Sequence, residues 1–213
     1  MSRDHVRESI DIGVYLVTDP AARLGVVETV AGAIRGGVTA VQLRDKSLSD
    51  AAFVALGRRL RAVLRPRRIP LIVNDRAHLV ADIGADGLHI GQSDLGLPAA
   101  RAAIGPDVLL GLSIEGPDQL RAVDWSAVDY LGIGPVRATA TKPDHADPIG
   151  IDGFAEICRA APCPSVAIGG VTAADASAIK AAGGAGLAVV SAICGARDPC
   201  AAAQALASAW QYA

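Results

Sequence analysis

The chain has 213 residues, 51% of them hydrophobic, which is enough apolar material for one barrel-sized domain or two smaller ones. A net charge of −2 and an aromatic content of 3% exclude a basic field and a stacking platform, so we expect no nucleic acid partner. No apolar run is long enough to cross a bilayer, so we expect no membrane partner.

The ends and the cysteines of the chain say little about its partners. Residues 1–10 are polar and lack the apolar core of a signal peptide, so we expect a flexible start and a single domain over residues 11–213. The four cysteines are sparse and unpatterned, which predicts a reducing cytoplasmic location. Whether the chain forms a homo-oligomer is left open.

Apolar runs of strand length alternate with helix-like segments along the whole chain. The predicted strands cover residues 12–17, 38–43, 71–73, 87–90, 108–113, 128–133, 165–168 and 187–190. The predicted helices cover residues 24–35, 53–63, 76–83, 98–104, 117–123, 151–160, 173–182 and 199–210. Near-continuous apolar strands are typical of strands covered on both faces. The pattern favours a single-domain (β/α)₈ TIM barrel over the alternative, a doubly wound open sheet.

Two neighbouring predicted strands each end in a carboxylate. Asp75 follows the strand at residues 71–73, and Asp94 follows the strand at residues 87–90. A helix separates the strands, so they run parallel and their carboxyl ends share one edge of the sheet. Such a pair can hold a hard cation such as Mg²⁺. Alternatively, Asp75 caps the next helix and Asp94 closes a turn.

Further polar side chains follow the other strands. Gln42, Arg44 and Lys46 alternate along a strand end, where Arg44 offers a fork for phosphate oxygens and Lys46 a point charge. Taken alone, this segment favours a surface ion pair of Arg44 with Asp45 or Asp75. Asn74, Gln92, Ser113 and Glu115 lie at equivalent places after other strands.

Two segments suit a phosphate group. The long loop at residues 134–150 contains Thr139-Ala140-Thr141-Lys142, whose hydroxyls and lysine could grip an anion or could form a lid tip without ligand contact. Gly169-Gly170 and Ser191 follow the last two strands, where barrels often bind phosphate through backbone N–H groups. The alternative there is a tight turn with Thr172 as helix cap.

Other kinds of chemistry find little support. His89 lies within a predicted strand, where an interior or lining role fits better than a metal-ligand role. No Ser-His-Asp or Cys-His grouping has a convincing local context, so covalent catalysis is not indicated. The glycine-rich stretches match neither the dinucleotide fingerprint nor the Walker motif.

The ordered set of these segments resembles the thiamine-phosphate synthase family. The matching pieces run from the first strand to the last: 15–19, 41–46, 74–75, 87–94, 111–113, 132–136, 139–142, 168–170 and 190–191. The resemblance implies a (β/α)₈ transferase that joins 4-amino-5-hydroxymethyl-2-methylpyrimidine diphosphate to a thiazole phosphate. The products are thiamine phosphate and pyrophosphate, and Mg²⁺ is required. The reaction is thought to be dissociative, with pyrophosphate leaving before the thiazole nitrogen attacks.

The resemblance also implies a role for each matching residue. The pyrimidine diphosphate would be held by Gln42, Leu43, Arg44, Asp45, Lys46, Asn74, Ser113 and Lys142. Of these, the catalytic residues would be Arg44, Lys46, Ser113 and Lys142. The thiazole phosphate would be held by Thr139, Ala140, Thr141, Gly170, Val190 and Ser191. Asp75 and Asp94 would bind Mg²⁺.

The chain departs from the family pattern at two places. Ile114 and Glu115 follow Ser113, where the family often has Thr-His. Arg137 and Ala138 stand where it often has an aromatic residue and a proline. Glu115 could repel a diphosphate or bind an arginine such as Arg137. Two other functions stay open. One is a thiazole tautomerase on the same barrel, against which the intact Gln-x-Arg-x-Lys motif and both aspartates argue. The other is a non-catalytic sensor of phosphorylated ligands or a subunit of a larger synthase, which only the altered segment at residues 113–115 supports.

Overall fold

Eight parallel strands close into a barrel in chain order, with β1 paired to β8. The computed structural model describes residues 10–139 and 146–213. The strands are β1 (Val14–Val17), β2 (Ala40–Leu43), β3 (Leu71–Asn74), β4 (Gly87–Ile90), β5 (Leu109–Ile114), β6 (Tyr130–Ile133), β7 (Ser165–Ile168) and β8 (Gly186–Val189). The predicted (β/α)₈ barrel is confirmed. The prediction of a flexible start falls almost entirely outside the described residues.

Helices cover the outside of the barrel. The α-helices are α1 (Val26–Arg35), α2 (Asp50–Leu64), α3 (Val80–Ile83), α4 (Leu97–Ile104), α5 (Gly150–Ala160), α6 (Ala176–Ala181), α7 (Ser191–Cys194) and α8 (Pro199–Gln211). Short 3₁₀ helices cover Arg65–Arg67, Ala77–Leu79, Pro117–Ala122 and Ala173–Asp175. Among the described residues, no helix is long and apolar enough to cross a membrane.

The strands separate two apolar layers. Residues such as Leu43, Leu88 and Leu131 point outward into the large core beneath the helices. Alternate residues, among them Tyr15 and Tyr130, point inward and fill the barrel itself. Because neighbouring side chains of a strand point to opposite faces, each strand serves both layers, which explains its continuous apolar sequence.

Three predicted helices differ in the structure. In one, at residues 173–182, the 3₁₀ helix Ala173–Asp175 precedes α6. The segment predicted as a helix at residues 117–123 is a 3₁₀ helix, Pro117–Ala122, with no buried residue. Residues 76–83 form the 3₁₀ helix Ala77–Leu79 and then the single turn α3. These segments are short, and starting an α-helix fixes the backbone of several residues for a single hydrogen bond. Short segments therefore often form 3₁₀ turns instead.

Arg101 ties the lower ends of β5 and β6 together. Its Nη1 donates to the carbonyls of Gly105 at 3.0 Å and Val108 at 2.6 Å. Its Nη2 donates to Oδ2 of Asp129 at 2.8 Å, and that carboxylate is buried. The same Oδ2 accepts the backbone N–H of Leu110 at 2.7 Å. The ion pair therefore compensates a carboxylate that water cannot reach.

We expect Arg101→Met to lower the free energy of unfolding by about 3 kcal/mol, because it leaves a buried charge without its partner. Urea denaturation at pH 7 measures the change. Arg121→Met is the matched control, because Arg121 pairs with Asp118 at 3.6 Å on the open surface and should change stability little. Equal losses in the two variants would contradict the assignment.

Candidate functional site

A cavity of about 560 Å³ opens at the carboxyl ends of the strands. All eight strands contribute lining residues, as parallel strands in a closed barrel require. Of the predicted site residues, the cavity lining includes Gln42, Arg44, Lys46, Asn74, Asp75, Asp94, Ser113, Thr139, Gly170, Val190 and Ser191. Ala140, Thr141 and Lys142 lie outside the described residues.

The end of β2 divides its side chains between the cavity and the core. Gln42, Arg44 and Lys46 line the cavity. Leu43 lies in the core beneath the helices and is fully buried, so its side chain does not reach the site that was predicted to include it. The reason is the alternation of side chains along a strand.

Asp45 also points away from the cavity. Its Oδ1 accepts hydrogen bonds from the backbone N–H groups of Ser47 at 2.8 Å and Leu48 at 3.1 Å, and from the Ser47 hydroxyl at 2.7 Å. Burial raises the pKa of Asp45, but these hydrogen bonds outweigh burial and leave the pKa below its usual value. Asp45 was predicted to hold substrate; its side chain instead shapes the loop that carries Lys46.

Arg76 fixes the same loop from the neighbouring strand. Its Nη2 donates to the carbonyls of Leu48 at 2.7 Å and Asp45 at 3.2 Å, and its Nη1 to Asp50 at 2.9 Å. The guanidinium also lies 4.6 Å from the ring centre of Phe53. The residue after Asp75 thus holds the loop between Arg44 and Ser49 against β3. No local pattern in the sequence indicates these partners.

Asp75 and Asp94 meet at the cavity wall. Asp75 has a φ of 60°, a strained value for a residue with a side chain. Burial is the largest cause that raises its pKa; together with the hydrogen bond and the charge of Asp94, and against the lowering effects of Lys46 and Asn74, it brings the pKa to about 6. Asp94 Oδ2 also accepts the backbone N–H of Gly91 at 2.7 Å, so the turn considered from the sequence is present as well. The two carboxylates therefore repel each other, and Lys46 offsets only part of that repulsion.

Behind Ser113, the cavity floor is polar and buried. His89 contacts the Ser113 hydroxyl through Nε2 at 2.9 Å and the Tyr130 hydroxyl through Nδ1 at 3.0 Å. Burial lowers the pKa of His89 to about 4, so the ring is neutral at pH 7. The predicted lining role of His89 agrees with its position. Tyr15 and Tyr130 were not predicted as site residues, although two tyrosines at inward strand positions of an aromatic-poor chain are a usable signal.

Opposite the carboxylates, the cavity wall is backbone. Gly169 and Gly170 have φ of 88° and 65°, which glycine tolerates far better than other residues. A Cβ on Gly170 would lie 2.5 Å from the carbonyl oxygen of Ala138. Val190 precedes the short helix α7, which begins at Ser191. Open backbone N–H groups of this kind suit an anion.

Arg137 links the loop after β6 to the loop after β7 by hydrogen bonds. Its Nη2 and Nε donate to Asp175 Oδ1 at 2.8 and 3.2 Å, and its backbone N–H donates to the carbonyl of Gly169 at 2.8 Å. Asp175 in turn caps the 3₁₀ turn together with Thr172. Burial raises the pKa of Asp175, but Arg137 and Thr172 outweigh it and lower the pKa overall. Arg137 therefore pairs with Asp175, and the suggested pairing with Glu115 is wrong.

Comparison with known proteins identifies the family. The family model described as thiamine monophosphate synthase matches residues 14–193. The chain belongs to this family. A thiamine-phosphate synthase of Azorhizobium caulinodans is 48% identical over 198 residues, which cover 92% of this chain and 93% of that protein. One from Xanthobacter autotrophicus is 47% identical, with 93% and 95% covered.

Solved structures agree with the assignment. A thiamine phosphate pyrophosphorylase from Pyrococcus furiosus superposes with a TM-score of 0.87 at 29% identity, covering 97% of this chain and 98% of that chain. A 3-hexulose-6-phosphate synthase from Salmonella typhimurium, at 14% identity and a TM-score of 0.71, shares the fold alone. The predicted family, the predicted fold and the prediction of a transferase of thiamine biosynthesis are confirmed. The tautomerase and sensor alternatives gain no support.

We expect Asp94→Asn to lower the pKa of Asp75 from about 6, because it removes a like charge, while burial keeps that pKa above 3.8. Carboxyl-carbon NMR titration of the metal-free protein measures it. Asp75 binds its proton more tightly in the folded state than in the unfolded state, so protonation stabilises the folded protein. This stabilisation is fully present below pH 3.8 and is lost as the pH rises through about 6. The fall in melting temperature across that window should therefore be smaller in the variant, and an unchanged Asp75 pKa would contradict the coupling.

Proposed function

We propose that this chain condenses 4-amino-5-hydroxymethyl-2-methylpyrimidine diphosphate with a thiazole phosphate, giving thiamine phosphate and pyrophosphate. The observation that carries the proposal is one cavity whose two ends are lined by different groups, each suited to an anion. Arg44, Lys46 and the Asp75–Asp94 pair line one end. Gly170 and the start of α7 line the other. A reaction between two phosphorylated molecules needs both ends in one chamber.

The diphosphate end offers uncommitted positive charge. Within residues 10–139 and 146–213, neither Arg44 nor Lys46 forms an ion pair, so the surface pair of Arg44 with Asp45 or Asp75 considered from the sequence does not form. Both side chains line the cavity and can therefore face a substrate. Lys142, which lies outside the described residues, would add a third cation by its resemblance to the family motif. These cations stabilise the charge that a departing diphosphate gains.

The carboxylate pair fits a magnesium ion. Two carboxyl groups in contact, with the pKa of Asp75 raised to about 6, form a site that a cation would stabilise. Among the described residues, no third Asp, Glu, His or Cys joins them. Mg²⁺ is commonly held by one or two carboxylates together with substrate phosphates and water, so Asp75 and Asp94 suffice. When bound, the ion would neutralise the diphosphate and make it a better leaving group.

The remaining residues position the reactants and supply no nucleophile. Asn74, Gln42 and Ser113 face the space beside the carboxylates and would hold the pyrimidine. His89 is neutral and already occupied by two hydroxyls, so it does not act as a strong base. A dissociative substitution needs an oriented, water-poor site, and the apolar walls formed by Val17, Val166 and Ile168 provide one.

The thiazole phosphate would bind at the opposite wall. Gly170, Val190 and Ser191 present backbone N–H groups and a helix start, and Thr139 lines the cavity beside them. Ala140 and Thr141 would complete this set by the family motif. The two loops lie against each other, since Gly170 is in contact range of Ala138.

We also infer a reducing, cytoplasmic location. In the described part of the chain, none of the four cysteines forms a disulfide, and Cys194 is buried. Chains with unpaired thiols are typical of reducing compartments.

The direct test is to incubate both substrates with the protein, with and without Mg²⁺, and to look for thiamine phosphate and pyrophosphate. We expect product only with Mg²⁺, loss of activity on chelation, and recovery when Mg²⁺ returns. Pyrophosphate release distinguishes this reaction from a tautomerase. Substrate binding without product at any protein concentration would favour the sensor.

We expect Asp75→Ala and Asp94→Ala each to lower kcat at least ~100-fold, the scale for losing a major charge-stabilising group. Steady-state kinetics at saturating Mg²⁺ measure the change. Asp118→Ala is the control, because Asp118 lies on the surface and pairs only weakly with Arg121. Near-normal turnover in both site variants would contradict the assignment of Asp75 and Asp94 as metal ligands.

Arg76 and Arg137 allow a crossed test of the two ends. We expect Arg76→Met to raise KM for the pyrimidine diphosphate about 10-fold, because the loop carrying Arg44 and Lys46 loses its anchor. Arg137→Met should instead raise KM for the thiazole phosphate about 10-fold. Each variant serves as the control for the other, and equal effects on both substrates would indicate general loosening of the fold.

A further inference from the structure

A continuous chain of four hydrogen bonds, three of them buried and one partly buried, crosses the barrel interior at the floor of the cavity. Gln42 Nε2 lies 3.0 Å from the Tyr15 hydroxyl, which lies 2.8 Å from the Tyr130 hydroxyl. The Tyr130 hydroxyl lies 3.0 Å from His89 Nδ1, and His89 Nε2 lies 2.9 Å from Ser113 Oγ. Both ends, Gln42 and Ser113, line the cavity. The chain therefore connects two proposed substrate contacts through three residues of the barrel interior.

The hydrogen-bond chain has room inside the barrel only because β5 has a glycine, Gly111, beside His89 and Tyr130. A Cβ there would collide with the Tyr130 ring and with Nδ1 of His89. The rings of His89 and Tyr130 are 5.5 Å apart, and those of Tyr15 and Tyr130 are 6.0 Å apart. All three side chains are buried. Tyr130 does not line the cavity, whereas Tyr15 and His89 lie at its floor with little exposed surface.

One donor at the start sets the direction of every later bond. The Gln42 amide N–H donates to Tyr15, so the Tyr15 hydroxyl hydrogen must find another acceptor, and Tyr130 is that acceptor. The Tyr130 hydroxyl then donates to His89 Nδ1. A neutral histidine that accepts at Nδ1 carries its hydrogen on Nε2, so it donates to Ser113 Oγ.

We infer that every hydrogen bond in this hydrogen-bond chain points from Gln42 toward Ser113. This direction holds His89 in the Nε2–H tautomer. It leaves the Ser113 hydroxyl hydrogen aimed into the cavity as a donor. Tyr15, Tyr130 and His89 are then positioning residues that act through Ser113. The role of Ser113 toward a substrate rests on the proposed function; the direction of the chain does not. An acceptor group of the pyrimidine diphosphate would meet the Ser113 donor, and a donor group would meet the free oxygen of Gln42.

The tautomer of His89 tests the direction without any substrate. The probe is a His5→Gln, His78→Gln, His145→Gln variant labelled with ¹⁵N-histidine, in which His89 gives the only histidine signals. Long-range ¹H–¹⁵N correlation spectra should show the Nε2–H form and no change between pH 6 and pH 8, since the ring stays neutral there. The Nδ1–H form would overturn the inference, because it requires Ser113 to donate to His89 and the whole chain to run the other way.

Two isosteric substitutions in the same background sharpen the NMR test. Tyr15→Phe leaves the Tyr130 hydroxyl free to donate to His89, so the Nε2–H form should persist. Gln42→Glu, ionised at pH 8, can only accept, so Tyr15 must donate to it and the tautomer should change to Nδ1–H. The carboxyl-carbon shift of the introduced glutamate verifies that it is ionised. Persistence of the Nε2–H form beside that ionised carboxylate would overturn the idea that the amide end sets the direction.

A double-mutant cycle tests whether Tyr130 acts through Ser113. We expect Tyr130→Phe to lower kcat/KM for the pyrimidine diphosphate about 5-fold, the scale of one lost hydrogen bond. In a Ser113→Ala background the same change should cost less than about 2-fold. Equal losses in both backgrounds would show that Tyr130 acts by another route. If the protein makes no thiamine phosphate at all, the proposed function fails, while the NMR result still decides the direction of the chain.

Discussion

The closed register of eight parallel strands is the constraint on which the rest of the molecule depends. It brings every strand end to one mouth, and it assigns consecutive side chains to opposite layers. Gln42 enters the cavity while Leu43 enters the outer core. A slip of one residue along β2 would exchange them, placing a leucine in the cavity and an amide among the apolar side chains. The packing of the core thus fixes the chemistry of the mouth.

Against this well-packed background, the carboxylate pair is a local source of instability. Asp75 adopts a strained φ of 60°, and Asp94 raises its pKa further above the value that burial alone would give. Neither feature helps the chain to fold. A cation between the carboxylates would relieve their mutual repulsion, so the raised pKa of Asp75 is a physical argument for the metal proposed at this place.

The sequence could predict the features that depend on the alternation of apolar segments and on the position of residues at strand ends. The strands, most helices and the polar residues at the strand ends follow from apolar patterns and from the rule that parallel strands share one mouth. The orientation of Asp45 was missed because its partners, Ser47 and Leu48, compete locally with the cavity. The hydrogen-bond partners of Arg76, Tyr130 and Arg137 lie on other strands and loops. The spacing of residues near each of them in the sequence does not indicate these partners.

The departures from the family pattern become intelligible through those long-range partners. An aromatic residue and a proline stiffen a loop by themselves, whereas Arg137 and Ala138 do not. In this chain Arg137 reaches Asp175, which caps the next loop, and its backbone holds Gly169. The loop after β6 is thus held by hydrogen bonds to the loop after β7. The two loops that line the proposed thiazole phosphate site are therefore coupled, and a change in one of them should be felt by ligands of the other.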